Sequence, residues 1–418
     1  MAAQLNLQRN TKVFMSTVDI ASGAAVTAMK PANTWQVEIL AGFAVSQAAA
    51  TQDITSLESG LTPDRSQQRF NTALNPVDWN FQAYLKPTGL EKTAGASDKS
   101  AEGNSMPCAD WFMWQALMSN TSFASGDALQ STWQADGKFA LGERAAAANV
   151  FQHSSNFATA SEYHLYFKMD NVVYQVSNAT VNQGSIDAAI DGIATTTWTG
   201  FGTNLIELRD DKRNNAVSVF GGILNAGGNE ITANSNQYAM TAEASYHPWN
   251  SYNVSGTISS ASFIKNRLST IDIKHAESST AAGVDFTFPV TALSFDYNNN
   301  ITYLTPEELA SLNSPIGQFA GARAISGSLS AYLRGGSSDS AQFLKQIVED
   351  TRTSSSATSN ANLKIGGATA PFFAIDMPKI QFEIPTHAVE DVIGITVNFL
   401  AQETSKGTGD ELTLIVEK

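Results

Sequence analysis

The chain has 418 residues and a formal net charge of -14, with 43% apolar residues and only 15% charged residues. This length and apolar content suffice for two domains with buried cores, which excludes an intrinsically disordered protein. The acidic balance argues against DNA binding through basic side chains, and the single cysteine, Cys108, excludes an intrachain disulfide and a cysteine-based zinc site.

Short segments recur in the same order in the two halves of the chain. Residues 15–20 return as residues 268–273, and residues 61–64 return as residues 304–307. Each match alone is too short to exclude chance, but collinear matches predict an internal duplication.

The third match predicts a half-buried strand in each half. Alternation of apolar and polar residues at a period of two is typical of a strand with one face in the core. The apolar positions are Val77, Trp79, Phe81, Ala83 and Leu85 in the first half and Ile325, Gly327, Leu329, Ala331 and Leu333 in the second. The intervening polar positions include Asp78, Asn80 and Gln82 in the first half and Ser326, Ser328 and Ser330 in the second.

The fourth match is a change of phase. Phe167 and Met169 share one phase of apolar alternation, and Val172 begins the opposite phase after a shift of one residue. Residues 373–384 contain a similar shift of phase at Pro378. Such a slip predicts a β-bulge or a bent strand in both halves.

Between the third and fourth matches, each half contains an apolar cluster suited to one short helix. The helices are predicted over residues 109–117 and 341–348, with Trp111, Phe112 and Leu117 in the first buried stripe and Phe343, Leu344, Ile347 and Val348 in the second. Polar insertions at residues 87–105 and 119–161 are predicted to be exposed loops. The sequence therefore predicts a mainly β protein with one domain over residues 1–208, a connecting segment over 209–259, and a second domain over 260–418.

No pattern of catalytic or ligand-binding residues was found. The five histidines lack the spacing of a helical metal site, and there is no phosphate-binding loop and no nucleophile elbow. We therefore predict no enzyme activity, no catalytic residue, no metal and no cofactor. The seven tryptophans could form a sugar-binding surface, but core packing is the stronger interpretation.

The closing segment, residues 373–382, 390–399 and 409–412, resembles the C-terminal part of phage tail tube proteins, as do residues 304–306 followed by 325–333. The resemblance covers most of the second half and reaches the first through the duplication. It implies two tandem tail-tube β-sandwich or barrel domains of the T5-like type, each with one flanking helix and long loops.

The resemblance also implies function and partners. Three chains would form a pseudo-sixfold ring, and rings would stack into a hollow tube that conducts DNA without binding it specifically. Further partners would be the tape measure protein, the tail terminator, baseplate or tip proteins and, in a contractile tail, a sheath. The protein would be assembled in the host cytoplasm and reside in the virion, with no membrane anchor.

The candidate lumenal or inter-subunit face consists of Asp78, Asn80, Gln82, Ser326, Ser328 and Ser330. The alternatives are a capsid or capsid-decoration protein and a tail-tip carbohydrate-binding protein.

Overall fold

The structure is a computed structural model, and all structural statements below concern the residues that it describes. These are residues 11–22, 34–54, 68–85, 110–118, 132–133, 139–142, 160–169, 172–208, 223–224, 230–231, 264–275, 284–305, 314–336, 338–353, 359–366, 372–388, 392–406 and 411–417.

The described elements are mostly strands. The first half contains β1 (Thr11–Ser16), β2 (Thr34–Val37), β3 (Ala44–Ile54), β4 (Gln68–Tyr84), α1 (Trp111–Met118), β5 (Thr132–Trp133), β6 (Phe139–Gly142), β7 (Tyr163–Met169), β8 (Val172–Ala189), β9 (Thr195–Gly202) and β10 (Asn204–Leu208). A small hairpin, β11 (Ile223–Leu224) and β12 (Glu230–Ile231), follows. The second half contains β13 (Thr270–His275), β14 (Val284–Pro289), β15 (Ala292–Asn298), β16 (Ile301–Leu304), β17 (Gly317–Ala320), β18 (Ala324–Tyr332), α2 (Ser340–Thr353), β19 (Ser359–Ile365), β20 (Phe372–Phe382), β21 (Thr386–Ala388), β22 (Gly394–Ala401) and β23 (Thr413–Glu417).

One antiparallel sheet in each half has the same strand order. In the first half the order is β2, β1, β7, β8, β10. In the second half it is β14, β13, β19, β20, β23, and β6 of the first half extends it beyond β23.

The long strands β8 and β20 each continue into a further sheet. Residues 172–177 of β8 pair with β7 and β10, whereas residues from 180 onward pair with β9. Asn178 lies between the two parts with φ of 46°, a left-handed conformation that asparagine tolerates better than most residues. Likewise, the first part of β20 pairs with β23 and its end pairs with β22.

The further sheets of the two halves join into one. The strand order of this joined sheet is β3, β4, β9, β8, β15, β18, β22, with β20 and β21 together forming the last position. The junction is the antiparallel pairing of β8 with β15, in which Ser185 lies opposite Asp296. The two halves therefore share a continuous hydrogen-bonded sheet.

The core lies on one side of the joined sheet and is contributed by both halves. Both helices pack on that side. Trp114 of α1 contacts Trp198 of β9 edge-to-face, with ring centroids 4.8 Å apart, and also lies 5.8 Å from Phe373 of β20. Phe343 of α2 lies 5.0 Å from Phe382 at the end of β20. Aromatic packing of this kind fixes helices on a sheet because it buries large apolar areas.

The predicted mainly β class is confirmed, and so are the alternating strands. Val77, Trp79, Phe81 and Ala83 are buried in β4, and Ile325, Leu329 and Ala331 are buried in β18. Both predicted helices are present, although α2 runs five residues beyond the predicted end. In α1 Leu117 is buried as predicted, whereas the side chains of Trp111 and Phe112 lie outside the described ones.

The fourth sequence match is corrected by the structure. Residues 167–169 and 172–176 belong to two strands, β7 and β8, which pair antiparallel with Met169 opposite Val172. The change of phase in the first half is therefore a chain reversal, not a bulge. In the second half a single strand, β20, spans the slip, and its register with β19 shifts opposite residues 377–380, as predicted.

The first match does not align equivalent strand positions either, because residues 15–16 end β1 whereas residues 270–273 begin β13. Residues 61–64, most of the connecting segment 209–259 and the loop 87–105 lie outside the described residues. No helix in the described part of the chain has the length and apolar character needed to span a membrane.

Candidate assembly surface

The face of the joined sheet opposite the core is built mostly from polar side chains. Directly paired residues of antiparallel strands point to the same face, so the strand registers define rows that cross the sheet. One row contains Ala44, Asn80, Thr199, Gln183, Asn298 and Ala324. The next contains Gln82, Thr197, Ser185, Asp296, Ser326 and Leu400. A third contains Tyr84, Thr195, Asp187, Ser294, Ser328 and Asn398. We call this surface the polar face.

Side-chain hydrogen bonds connect neighbouring strands across the polar face. The hydroxyls of Ser294 and Ser328 lie 2.8 Å apart. Gln82 Nε2 donates to Thr197 Oγ1 at 3.1 Å, and Gln183 Nε2 donates to Asp296 Oδ1 at 2.7 Å. The Gln183 bond crosses the junction between β8 and β15, so the polar face is continuous across the two halves.

The structure places all six residues that the sequence singled out on the polar face. Asp78, Asn80 and Gln82 are exposed in β4, and Ser326, Ser328 and Ser330 are partly exposed in β18. They lie on the same face, separated by β9, β8 and β15. Sequence reasoning missed the polar residues of those three middle strands, although the alternation of residues 292–298 carries the same signal.

The charge on the polar face is acidic. The three rows contain the carboxylates Asp187 and Asp296 and no lysine or arginine. Burial raises the pKa of Asp296, and the negative charge of Asp187 raises it further, while the hydrogen bond from Gln183 acts in the opposite direction. Asp187 lies in the neighbouring row, so the two carboxylates repel when both are ionised.

Replacing Asp296 by asparagine is expected to raise the melting temperature slightly at pH 7.5. Because the pKa of Asp296 is raised in the folded state, ionisation costs stability above that pKa, and the cost vanishes below the unfolded value of about 3.9. Asp296→Asn removes this cost and keeps the acceptor for Gln183. The group is only half buried and is screened, so we expect a rise on the order of 1 °C.

The check is thermal denaturation of wild type and variant from pH 7.5 down to pH 3.5, where the difference should shrink. Asp78→Asn, which alters an exposed carboxylate on the same face, is the control and should leave the melting temperature unchanged. A destabilised Asp296→Asn variant at pH 7.5 would contradict this electrostatic interpretation.

Both outer edges of the joined sheet are open in the described part of the chain. On one side, β3 pairs with β4 and with no other described strand. On the other side, β21 pairs with β22 alone. Open edges present rows of backbone donors and acceptors that can pair with another chain.

Among the described residues, no group of three or more His, Cys, Asp or Glu side chains is arranged to hold a metal ion. Trp79, Trp114 and Trp198 are buried in the core, which makes them packing residues. His164 lies 3.4 Å from Gln175 Nε2 within the sheet. The described part of the chain therefore leaves the open sheet edges and the polar face as the candidate functional features.

Among the described strands, the two edges of this continuous sheet present backbone donors and acceptors that can pair with another chain. Sequence comparison places the chain among the structural proteins of the phage tail and identifies a particular relative. The chain is 27% identical over 410 residues to tail tube protein pb6 of Escherichia phage T5, a match that covers 97% of this chain and 75% of the relative.

The chain is therefore a homologue of that tail tube protein, and it is a non-enzymatic structural component of the virion tail. The similarity to this tail tube protein agrees with the predicted family. It disfavours the alternatives of a capsid protein and a carbohydrate-binding protein. No protein-family model matches the chain. A solved structure of the anti-feeding prophage baseplate, 6-fold symmetrised, aligns with 36% of this chain and 93% of its own at 10% identity and a TM-score of 0.25.

Proposed function

We propose that the chain forms rings by joining the edges of its joined sheet to those of neighbouring copies, and that the rings stack into the tail tube. The observation that carries this proposal is the joined sheet itself, which has a polar face, an opposite face buried in the core and two edges that no described strand covers. Closing a sheet into a barrel removes both edges and encloses one face.

We further propose that the two halves are tandem copies of one domain. The matching strand orders support this, because each half has a five-strand sheet whose long strand bends into a second sheet. The β8–β15 junction would then be an internal version of the contact between chains.

A reciprocal packing arrangement also supports the duplication. Trp79 of β4 lies opposite Gly200 of β9, and a Cβ on Gly200 would come within 2.3 Å of the Trp79 ring. In the second half Gly327 of β18 lies opposite Phe399 of β22, and a Cβ on Gly327 would come within 2.5 Å of the Phe399 ring. Each half therefore uses an aromatic side chain over a glycine at the same strand pair, with the two roles exchanged.

The size of the opening supports more than one chain per ring. One chain contributes eight strand positions to the joined sheet, and a barrel of about eight strands is filled by its own side chains. Three chains of eight strand positions each, with strands about 4.8 Å apart and tilted by about 40° to the barrel axis, would give a circumference of about 150 Å and a diameter of about 50 Å between backbones. Such a ring would have pseudo-sixfold symmetry if the two halves are equivalent.

The chemistry of the polar face suits the lining of a DNA conduit. Its serine, threonine, asparagine and glutamine side chains offer no fixed positive charge to phosphates, and Asp187 and Asp296 repel them. DNA would therefore pass without specific binding. The tape measure protein, the tail terminator, baseplate or tip proteins and, in a contractile tail, a sheath remain proposed partners, with assembly in the host cytoplasm.

The proposal is tested by the accessibility of single cysteines in assembled tubes. Cys108 is first replaced by alanine, and Asn80→Cys then places a thiol on the polar face, where Asn80 is exposed. Lys345→Cys places the control thiol on α2, where the Lys345 side chain is 64% exposed. The free chain should react at both positions with a maleimide carrying a long polyethylene glycol chain.

In tubes, only Lys345→Cys should keep its reactivity with the large reagent, while a small maleimide should still modify both. Equal reaction of Asn80→Cys with the large reagent in tubes and in the free chain would exclude a lumenal polar face. Absence of tubes or rings in electron micrographs of the purified parent protein would count against the tube itself.

A further inference from the structure

We propose a specific register for the contact between chains, with β3 of one copy pairing antiparallel to β21 of the next so that Ser46 lies opposite Thr386. This inference rests on the proposed ring and names the strands and residues that close it. The internal β8–β15 pairing serves as the template. The occupant of each open edge is therefore a second copy of this chain.

The equivalence of the two halves is fixed by the paired strands. Trp79 of β4 corresponds to Gly327 of β18, as the third sequence match and the aromatic–glycine packing both indicate. Ser46 pairs with Asp78, and Asp296 pairs with Ser326, which occupies the position equivalent to Asp78. Ser46 in β3 is therefore equivalent to Asp296 in β15.

The same reasoning locates the partner on the other edge. Ser185 of β8 pairs with Thr197, and Thr386 of β21 pairs with Thr396. Thr199 of β9 is equivalent to Asn398 of β22, and Gly200 is equivalent to Phe399. Thr197 lies two residues before Thr199, and Thr396 lies two residues before Asn398, so Thr197 and Thr396 are equivalent. Thr386 is therefore equivalent to Ser185.

The template pairing follows directly. Within the chain Asp296 lies opposite Ser185, so the equivalent residues Ser46 and Thr386 should lie opposite each other between chains. Two positions along the ladder, Ser294 lies opposite Asp187, which places Ala44 opposite Ala388. Serine, alanine and threonine are small enough to allow close approach of the two backbones.

Burial of the equivalent core-facing residues supports a missing neighbour at β3. Leu293 and Phe295 of β15, which β8 covers, are 3% and 0% exposed. Their equivalents, Phe43 just before β3 and Val45 in β3, pack against the same core but are only partly buried. On the opposite edge Ile384 is 58% exposed just before β21. A strand added along each edge would cover these apolar side chains.

Disulfide trapping in assembled tubes tests the register. In a Cys108→Ala background, Ser46→Cys/Thr386→Cys should form a disulfide under mild oxidation, because opposed residues of antiparallel strands have Cα atoms about 4.5 to 5.5 Å apart. Non-reducing electrophoresis should show dimers and trimers that disappear on reduction. Ala44→Cys/Ala388→Cys is a second matched pair, in case the first variant folds poorly.

The mismatched control is Ala48→Cys/Ala388→Cys, whose cysteines would be four residues out of register and about 13 Å apart along the strand. It should remain monomeric on the gel. Tubes in which neither matched pair cross-links, or in which the mismatched pair cross-links equally well, would overturn the register and leave the tube function standing. A parent protein that forms no tubes would instead refute the proposed function.

Discussion

Trp198→Ala is expected to destabilise the folded chain by about 3 to 5 kcal/mol, the usual cost of removing a buried tryptophan. Trp198 is fully buried, contacts Trp114 of α1 edge-to-face and donates from Nε1 to Asp110 Oδ2 at 3.1 Å. The ring also lies directly over Gly184 of β8, where an added Cβ would come within 2.6 Å. The substitution therefore removes the contact that joins α1 to two strands of the joined sheet.

Chemical denaturation followed by circular dichroism measures this loss. The matched control is Thr197→Ala, which alters the neighbouring residue on the polar face and removes only the hydrogen bond from Gln82. We expect that control to cost less than about 1 kcal/mol. Similar losses for the two variants would contradict the assignment of the core to the Trp198 side of the sheet.

Arg323→Met is expected to destabilise the chain by about 3 to 5 kcal/mol, because it leaves a buried carboxylate without its counter-ion. Arg323 precedes β18 and Glu411 precedes β23, and their side chains are 11% and 12% exposed. The Arg323 guanidinium donates to Glu411 Oε1 through both Nε and Nη2. Glu411 Oε2 has no hydrogen-bond partner in the described part of the chain.

The double variant Arg323→Met/Glu411→Leu removes both charges and should recover most of the lost stability, since apolar residues of similar size often replace a buried ion pair at little cost. Denaturant titrations of the single and double variants make the comparison. A double variant no more stable than Arg323→Met would show that packing at this site, and not the unpaired charge, determines the loss.

Local alternation made the strands of the joined sheet predictable, because a strand buried on one face records its orientation residue by residue. The alternation alone predicts that Asp78 and Ser326 point away from the core, and the structure places both there. The pairing of β8 with β15 could not be predicted, because an alternating strand does not specify which neighbour it pairs with.

The slip between Met169 and Val172 shows a second limit of the sequence. A bulge and a tight reversal both change the phase of alternation by one residue, so the pattern alone cannot distinguish them. The contact of Arg323 with Glu411 was also missed, because 88 residues separate the two along the chain. Charge pairing at this distance depends on the topology of β18 and β23.

The central claim is that the joined sheets of neighbouring chains form one closed barrel with the polar face inside. Electron cryomicroscopy of tubes assembled from the purified protein, with helical reconstruction at a resolution that separates strands, tests it most directly. The account predicts a continuous barrel in which β3 of one chain adjoins β21 of the next and Asn80, Gln82 and Ser328 face the lumen. Tubes in which the β3 and β21 edges of neighbouring chains lie apart, or in which these three side chains face outward, would contradict it.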